Sequence, residues 1–142
     1  MPGLFLLSLF RKQRHNNRSS IIEYLVSLII PGMLDELEFR KHADQAFADL
    51  KKSLIAAEDD ADIEVEDQSG ALHISFEDGA RFVISPNAPV RQIWISALTT
   101  SFKLDWSDQE KGFVLGKTGE SLKPLMSRLI NQQLGEELVQ LE

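Results

Sequence analysis

The sequence predicts an α+β fold: a two-layer sandwich in which an antiparallel sheet of five to six strands carries two helices on one face. Three observations predict it. An amphipathic segment with helical spacing, "LDELEFRKHADQAFADLKKSLI", comes first. A run of short alternating segments joined by turn chemistry follows, and a second helical segment near residues 119–134 closes the pattern. A meander with one apolar face and two amphipathic helices buries both by stacking them.

The elements follow in order. Asp35 and Glu38 have the spacing of a capping box at the start of the first helix. Phe39, Ala43, Ala46, Phe47, Leu50 and Leu54 then recur at helical intervals, and the helix is expected to run to about Ala57. From Glu58 to Asp67, seven of ten residues are acidic. Within that stretch Ile63 and Val65 alternate with Asp62, Glu64 and Glu66, which gives a half-buried strand with carboxylates on its outer face. Like charges along one face cost stability, so the row needs a reason.

"ALHISF" turns Leu72, Ile74 and Phe76 to one side. Glu77-Asp78-Gly79 is a hairpin turn, and "RFVIS" turns Phe82 and Ile84 inward. "SPNAP" breaks the chain before "VRQIWIS". There Ile93 and Ile95 face the core, which leaves Trp94 on the open side with Gln92 and Ser96. "SFKLDW" reads as a fifth strand with Phe102 and Leu104 inward, and "FVLGK" as a short sixth. The last helix carries Leu122, Leu125, Met126, Leu129, Ile130 and Leu134 on one stripe. Pro124 is harmless in its first turn, and Gly135 is a left-handed cap. The segment "EELVQLE" follows.

Bulk properties bound the function. A chain of 142 residues is one domain, and 43% hydrophobic with 26% charged is ordinary for a globular protein. Having no cysteine excludes disulfides, a thiolate nucleophile and a Cys-ligated zinc or iron–sulfur cluster. A bound metal would need oxygen or one of three histidines. Residues 1–32 carry Arg11, Lys12, Arg14 and Arg18 against Glu23, a net of +3, which leaves −10 for the rest of a chain whose net charge is −7. That acidity argues against nucleic acid and for cations or basic protein surfaces.

Leu4–Phe10 and Ile21–Ile30 are apolar but shorter than the roughly 20 residues that span a bilayer, so no stable membrane insertion is expected. Pro31-Gly32 is expected to stop this region. Residues 1–32 therefore read as an extension outside the fold, a mis-assigned start or a targeting segment, and residues 33–142 as the domain. "GKTGES" lacks the spacing of a phosphate-binding loop.

"EFRKHADQAFADL", "GALHISFEDGARFVI", "PVRQIWIS", "FKLDW" and "KTGESLKPLM", in that order and spacing from about Leu34 to Leu134, resemble the frataxin family, most closely its bacterial members. The resemblance implies an iron-binding accessory protein of iron–sulfur cluster assembly. It implies weak, exchangeable Fe²⁺ or Fe³⁺ on an acidic ridge, and partners in a cysteine desulfurase and its scaffold protein. The ridge residues it implies are Asp44, Glu58, Asp62, Glu64 and Glu66, with Asp59 and Asp60 adding charge from the connecting loop. Such exposed oxygen ligands suit hard cations held loosely. Gln92, Ile93, Trp94 and Ser96 are the implied partner-binding strand, and an exposed Trp suits an interface anchor.

The bacterial cytoplasm is the implied compartment, with the mitochondrial matrix as alternative, and a monomer the implied state, with iron-dependent oligomers as alternative. Two departures from the family stand out. Lys51-Lys52 and Ile55-Ala56 replace acidic positions at the end of the first helix, and Ser85-Pro86 replaces an Asn and a basic residue. The alternatives to iron delivery are an iron-independent adaptor of the desulfurase and a ferroxidase that stores iron. The last lacks a Glu-x-x-His di-iron motif. His42 and His73 are weaker metal candidates, and Trp106 reads as packing.

Overall fold

The computed structural model describes residues 31–142 and, upstream, Ile21, Ile22, Tyr24 and Leu25, which are helical. The apolar run Leu4–Phe10 and most of Ile21–Ile30 lie outside the described residues. Phe39–Glu142 form one compact unit, which holds everything on which the site depends.

Helix α1 spans Pro31–Ala61. Pro31-Gly32 and the Asp35/Glu38 pair are therefore inside the helix, where a stop and a capping box were expected. Proline in a first turn forfeits no intrahelical bond, and one helical glycine costs only about 1 kcal/mol. At the other end α1 outlasts the expected Ala57 by a turn. Glu58, Asp59 and Asp60 are helical, not in a loop, and the turn is Asp62 alone, in left-handed conformation at φ 51°. Asp tolerates that region better than most residues, because its short side chain can bond locally.

Six strands follow as a plain antiparallel meander: β1 Ile63–Gln68, β2 Ala71–Phe76, β3 Arg81–Asn87, β4 Gln92–Ala97, β5 Thr100–Ser107 and β6 Gly112–Leu115. Helix α2, Leu122–Leu134, completes the helical layer. Period-two alternation sends Ile63, Leu72, Ile74, Phe76, Phe82, Ile84, Ile93, Ile95 and Leu104 to the helix side, all buried. Phe39, Ala43, Leu50 and Leu54 of α1 and Leu125, Met126, Leu129 and Ile130 of α2 close on them. Truncating a side chain such as Leu54, fully buried, to Ala costs about 2–5 kcal/mol.

The turns fix the register. Ser69 and Gly70 are both left-handed, as a two-residue hairpin requires. Gly79 closes the Phe76–Gly79 turn at φ 90°, and Asp78 accepts the Ala80 N–H. β3 does not break at Pro86, as expected from "SPNAP", but runs through it to Asn87. The β2 ladder ends at Leu72–Ile84, so Pro86 has no strand opposite on that side. A short 3-10 turn, Ala88–Val90, then leads into β4.

α2 starts later than the expected Gly119. Gly119, at φ 76°, closes a turn on the Leu115 carbonyl, and Ser121 is still extended. Gly135 caps the helix in left-handed conformation, its N–H donating to Asn131. The segment beyond packs back on the helices and buries Val139 and Leu141.

Candidate functional site

The acidic side chains gather around the end of α1 and β1, but they do not share one site. An α-helix rises about 1.5 Å per residue, so Asp44 is roughly 21 Å along the axis from Glu58. Asp44 lines a shallow groove with Phe47, Lys51, Asp67 and Pro86. Lys51 stands seven residues after Asp44 and seven before Glu58, on the same side of the helix. Its ammonium pairs with Asp67 at 3.6 Å. A cation of the chain itself thus occupies the middle of the ridge.

Each remaining carboxylate has its own surroundings. Glu58 is half-buried, and its Oε2 accepts the Val65 N–H at 3.1 Å. β1 is the outermost strand, so this bond covers part of a free sheet edge. Asp59 and Asp60 are exposed on the last turn of α1. Asp60 is about 200° round the helix from Glu58 and lines a different groove, with Asp49, Ser53 and Glu142. Asp62 is the exposed turn residue. Glu64 and Glu66 project from the open face of the sheet, where Gln68 Nε2 donates to Glu66 at 3.2 Å and His73 stands opposite Glu66.

Among the described residues no three His, Asp or Glu side chains are grouped so as to hold a metal ion. The donor set is all hard oxygen, exposed except for the half-buried Glu58, and scattered. It suits cations that keep most of their water.

The tryptophan lies on the open face, flanked by Ser85 on β3 and Lys103 on β5. Its Nε1 donates to Gln92 Oε1 at 3.0 Å, and Gln92 Nε2 donates to Asp105 Oδ1 at 3.0 Å. The Lys103 ammonium sits 4.8 Å from the ring centroid, a cation–π contact. Trp94 is 37% exposed, yet Gln92 and Lys103 hold its ring. A large side chain held this way loses little entropy on binding, which makes it an effective anchor. Ser96 is exposed on the same face. The grouping of Ile93 with them is corrected: it is fully buried on the helix side, because neighbours in a strand point opposite ways, so its side chain does not reach the face that carries Trp94.

The other candidates resolve as follows. His42 stacks on Trp106 at 3.7 Å, and Trp106 Nε1 donates to Asp108 while its ring meets Phe113 edge-on. His73 keeps a buried Nδ1 without a hydrogen-bond partner. Beyond the β6 end, Arg128 grips Glu120 through Nε and Nη2 at 2.8 and 2.9 Å. That hydrogen bonding holds the Glu120 carboxyl below its ordinary value, against a smaller opposing effect of burial and with help from Thr118.

Residues 32–136 match the frataxin-like domain family. The chain belongs to the frataxin family. Among its relatives is the iron-sulfur cluster assembly protein CyaY of Pseudomonas fluorescens, 30% identical over 104 residues, which covers 73% of this chain and 93% of that protein. The protein of the same name from Azotobacter vinelandii is 30% identical over 107 residues, covering 74% and 94%. A solved frataxin from Psychromonas ingrahamii superposes with a TM-score of 0.64 at 20% identity, covering 75% of this chain and 98% of that one, so the two share the fold.

For a frataxin-family chain, sequence reasoning missed Asp67 and its pairing with Lys51. Strand parity would have placed Asp67 with Ile63 and Val65 on the side of α1. It also missed Lys103 and Asp105. Reading "LTT" as a tight hairpin would have set them beside Trp94 and Gln92.

Proposed function

We propose that this chain is an accessory protein of iron–sulfur cluster assembly, binding Fe²⁺ or Fe³⁺ weakly at its acidic end and docking on a cysteine desulfurase and its scaffold. Family membership supports the pathway, since relatives are named for that assembly. The observation that carries the docking is the fixed, exposed Trp94 with its Gln92–Asp105 support. The carboxylates from Glu58 to Glu66 would collect hard cations and steer the molecule to a basic partner surface. Iron here is cargo, shared with water by one or two carboxylates at a time. No membrane-crossing role is implied, and no helix among the described residues is long and apolar enough to cross one.

Lys51 favours a second reading, an adaptor that binds the desulfurase without iron. Its charge disfavours a divalent cation about 10 Å away, one helical span of seven residues, by roughly 0.8 kcal/mol in water, a factor of about four in affinity. An anaerobic Fe²⁺ titration of the protein, followed by amide NMR, separates the two. Iron delivery predicts broadening confined to Asp44 and the Glu58–Glu66 stretch. It also predicts that Lys51→Gln tightens the Asp44 end by about fourfold at low salt. Scattered or absent broadening at millimolar iron, with desulfurase binding intact, leaves the adaptor. A desulfurase that ignores stoichiometric protein overturns both.

A further inference from the structure

The two edges of the sheet are treated differently. On β1 the free edge is met by Glu58, which accepts the Val65 N–H. On the far side β6 is too short to cover β5. It pairs only with Leu104–Ser107, so Thr100–Lys103 have β4 on one side and, among the described residues, no strand on the other. β4 and β5 are joined by Leu98 and Thr99, both left-handed, a two-residue hairpin. In such a hairpin the pair beside the turn exchanges hydrogen bonds, and the pattern alternates from there. Ser101 and Lys103 therefore direct their backbone N–H groups to the open side.

That open half-strand forms one wall of a groove. Phe102 and Leu115 supply apolar lining, and Lys103, Lys117 and Arg128 supply cations. The carboxylates nearby are already engaged: Asp105 by Gln92, Glu120 by Arg128. Glu120 offsets much of the Arg128 charge, but Lys117 has no ion pair among the described residues, and Lys103 pairs only with the face of an indole. On a chain of net charge −7, this strip has the opposite sign.

We propose that the open half of β5, Thr100–Lys103, is a docking edge for an extended acidic segment of a partner protein, which adds a strand to the sheet. Backbone N–H and C=O groups of Ser101 and the Lys103 N–H would give the pairing, as in other strand-addition complexes. Alternate side chains of the incoming strand would fall on Phe102 and Leu115, and its carboxylates would meet Lys103 and Lys117. Charge selects the occupant: a basic segment would be repelled here and drawn to the opposite edge. The proposal is independent of iron, and it shares only Lys103 with the Trp94 face.

The test is an NMR titration of the full chain with a blocked ten-residue peptide of alternating Asp and Val, against a control with Lys for Asp. The Asp peptide should shift Ser101–Lys103 and Lys117 and slow amide exchange at Ser101 and Lys103. Lys117→Glu should weaken it by about fivefold. Ser101→Pro, which removes one outward N–H, should abolish it while the β1–β3 signals stay in place. If that variant does not fold, Lys117→Glu decides. No shift at Thr100–Lys103 with millimolar peptide, or equal binding of the Lys peptide, overturns the proposal. So would the same shifts arising with protein concentration alone, since a second copy would then occupy the edge.

Discussion

Replacing Asn131 by Ala should release the segment that follows α2. Asn131 is 7% exposed. Its Oδ1 accepts the N–H groups of Leu138 and Val139 at 3.1 and 2.8 Å, and its Nδ2 donates to the Val139 carbonyl at 2.8 Å. Three such bonds at about 1 kcal/mol each put the direct loss near 3 kcal/mol. The loss has a ceiling, because the segment can leave. It is also held by Leu141 N–H on Ser127 Oγ, and by Ser53 and Lys123 on a Glu142 oxygen, each at 2.7 to 2.9 Å.

Once released, Val139 and Leu141 are wet, the chain regains entropy, and no further cost accrues. Asn131→Ala should therefore cost about 2–3 kcal/mol in the full chain. Removing residues 136–142 should cost about the same, and Asn131→Ala in that shortened chain under about 0.5 kcal/mol. Urea unfolding followed by circular dichroism measures all four corners of the cycle. A full cost for Asn131→Ala in the shortened chain would refute the reasoning, since Asn131 would then act within α2 and not through the strap.

Other outcomes follow from single contacts. Thr99 is β-branched and left-handed at φ 61°, so Thr99→Gly should stabilise by about 1 kcal/mol, read as a higher urea midpoint. Glu120 has a lowered folded pKa, so its pairing with Arg128 contributes fully above its ordinary value of 4.5 and is lost as pH falls through the lower folded value. Glu120→Gln should thus lower the melting temperature slightly at pH 7, by under about 1 kcal/mol of stability, and leave it unchanged near pH 2. On the proposed docking, Trp94→Ala should weaken desulfurase binding more than tenfold in calorimetry while shifting stability by less than about 1 kcal/mol, because the ring lies on the open face and not in the core.

Most of the fold was legible because its signals are local. The stripe from Phe39 to Leu54, the alternation in "ALHISF" and "QIWIS", and the left-handed Gly135 each follow from one period or one residue type. The misplaced boundaries share a cause. "PG", "SPNAP" and the Asp35/Glu38 pair are punctuation that tertiary context overrides: a proline is free where no partner needs its N–H, at a helix start or beside an open strand edge. The segment after α2 alternates only over Val139–Glu142, too short a run to read as an element, and the burial of Val139 and Leu141 reveals it.

The acidic ridge is spread along the molecule for a reason partly present in the sequence. A helix separates Asp44 from Glu58 by roughly 21 Å and turns Asp60 to the far side of Glu58, whatever the rest of the chain does. Strand parity likewise sends Glu64 and Glu66 to the open face and Asp67 to the helix face. What no local rule supplies is the pairing of Lys51 with Asp67, 16 residues later in sequence and 3.6 Å away in space. That pair decides the electrostatics at the centre of α1. It leaves the negative field strongest at the Glu58–Glu66 end, next to the open sheet face that carries Trp94. A basic partner drawn to that end would be oriented toward the tryptophan side of the sheet, with Lys103 and Lys117 beyond it disfavouring a footprint that overshoots.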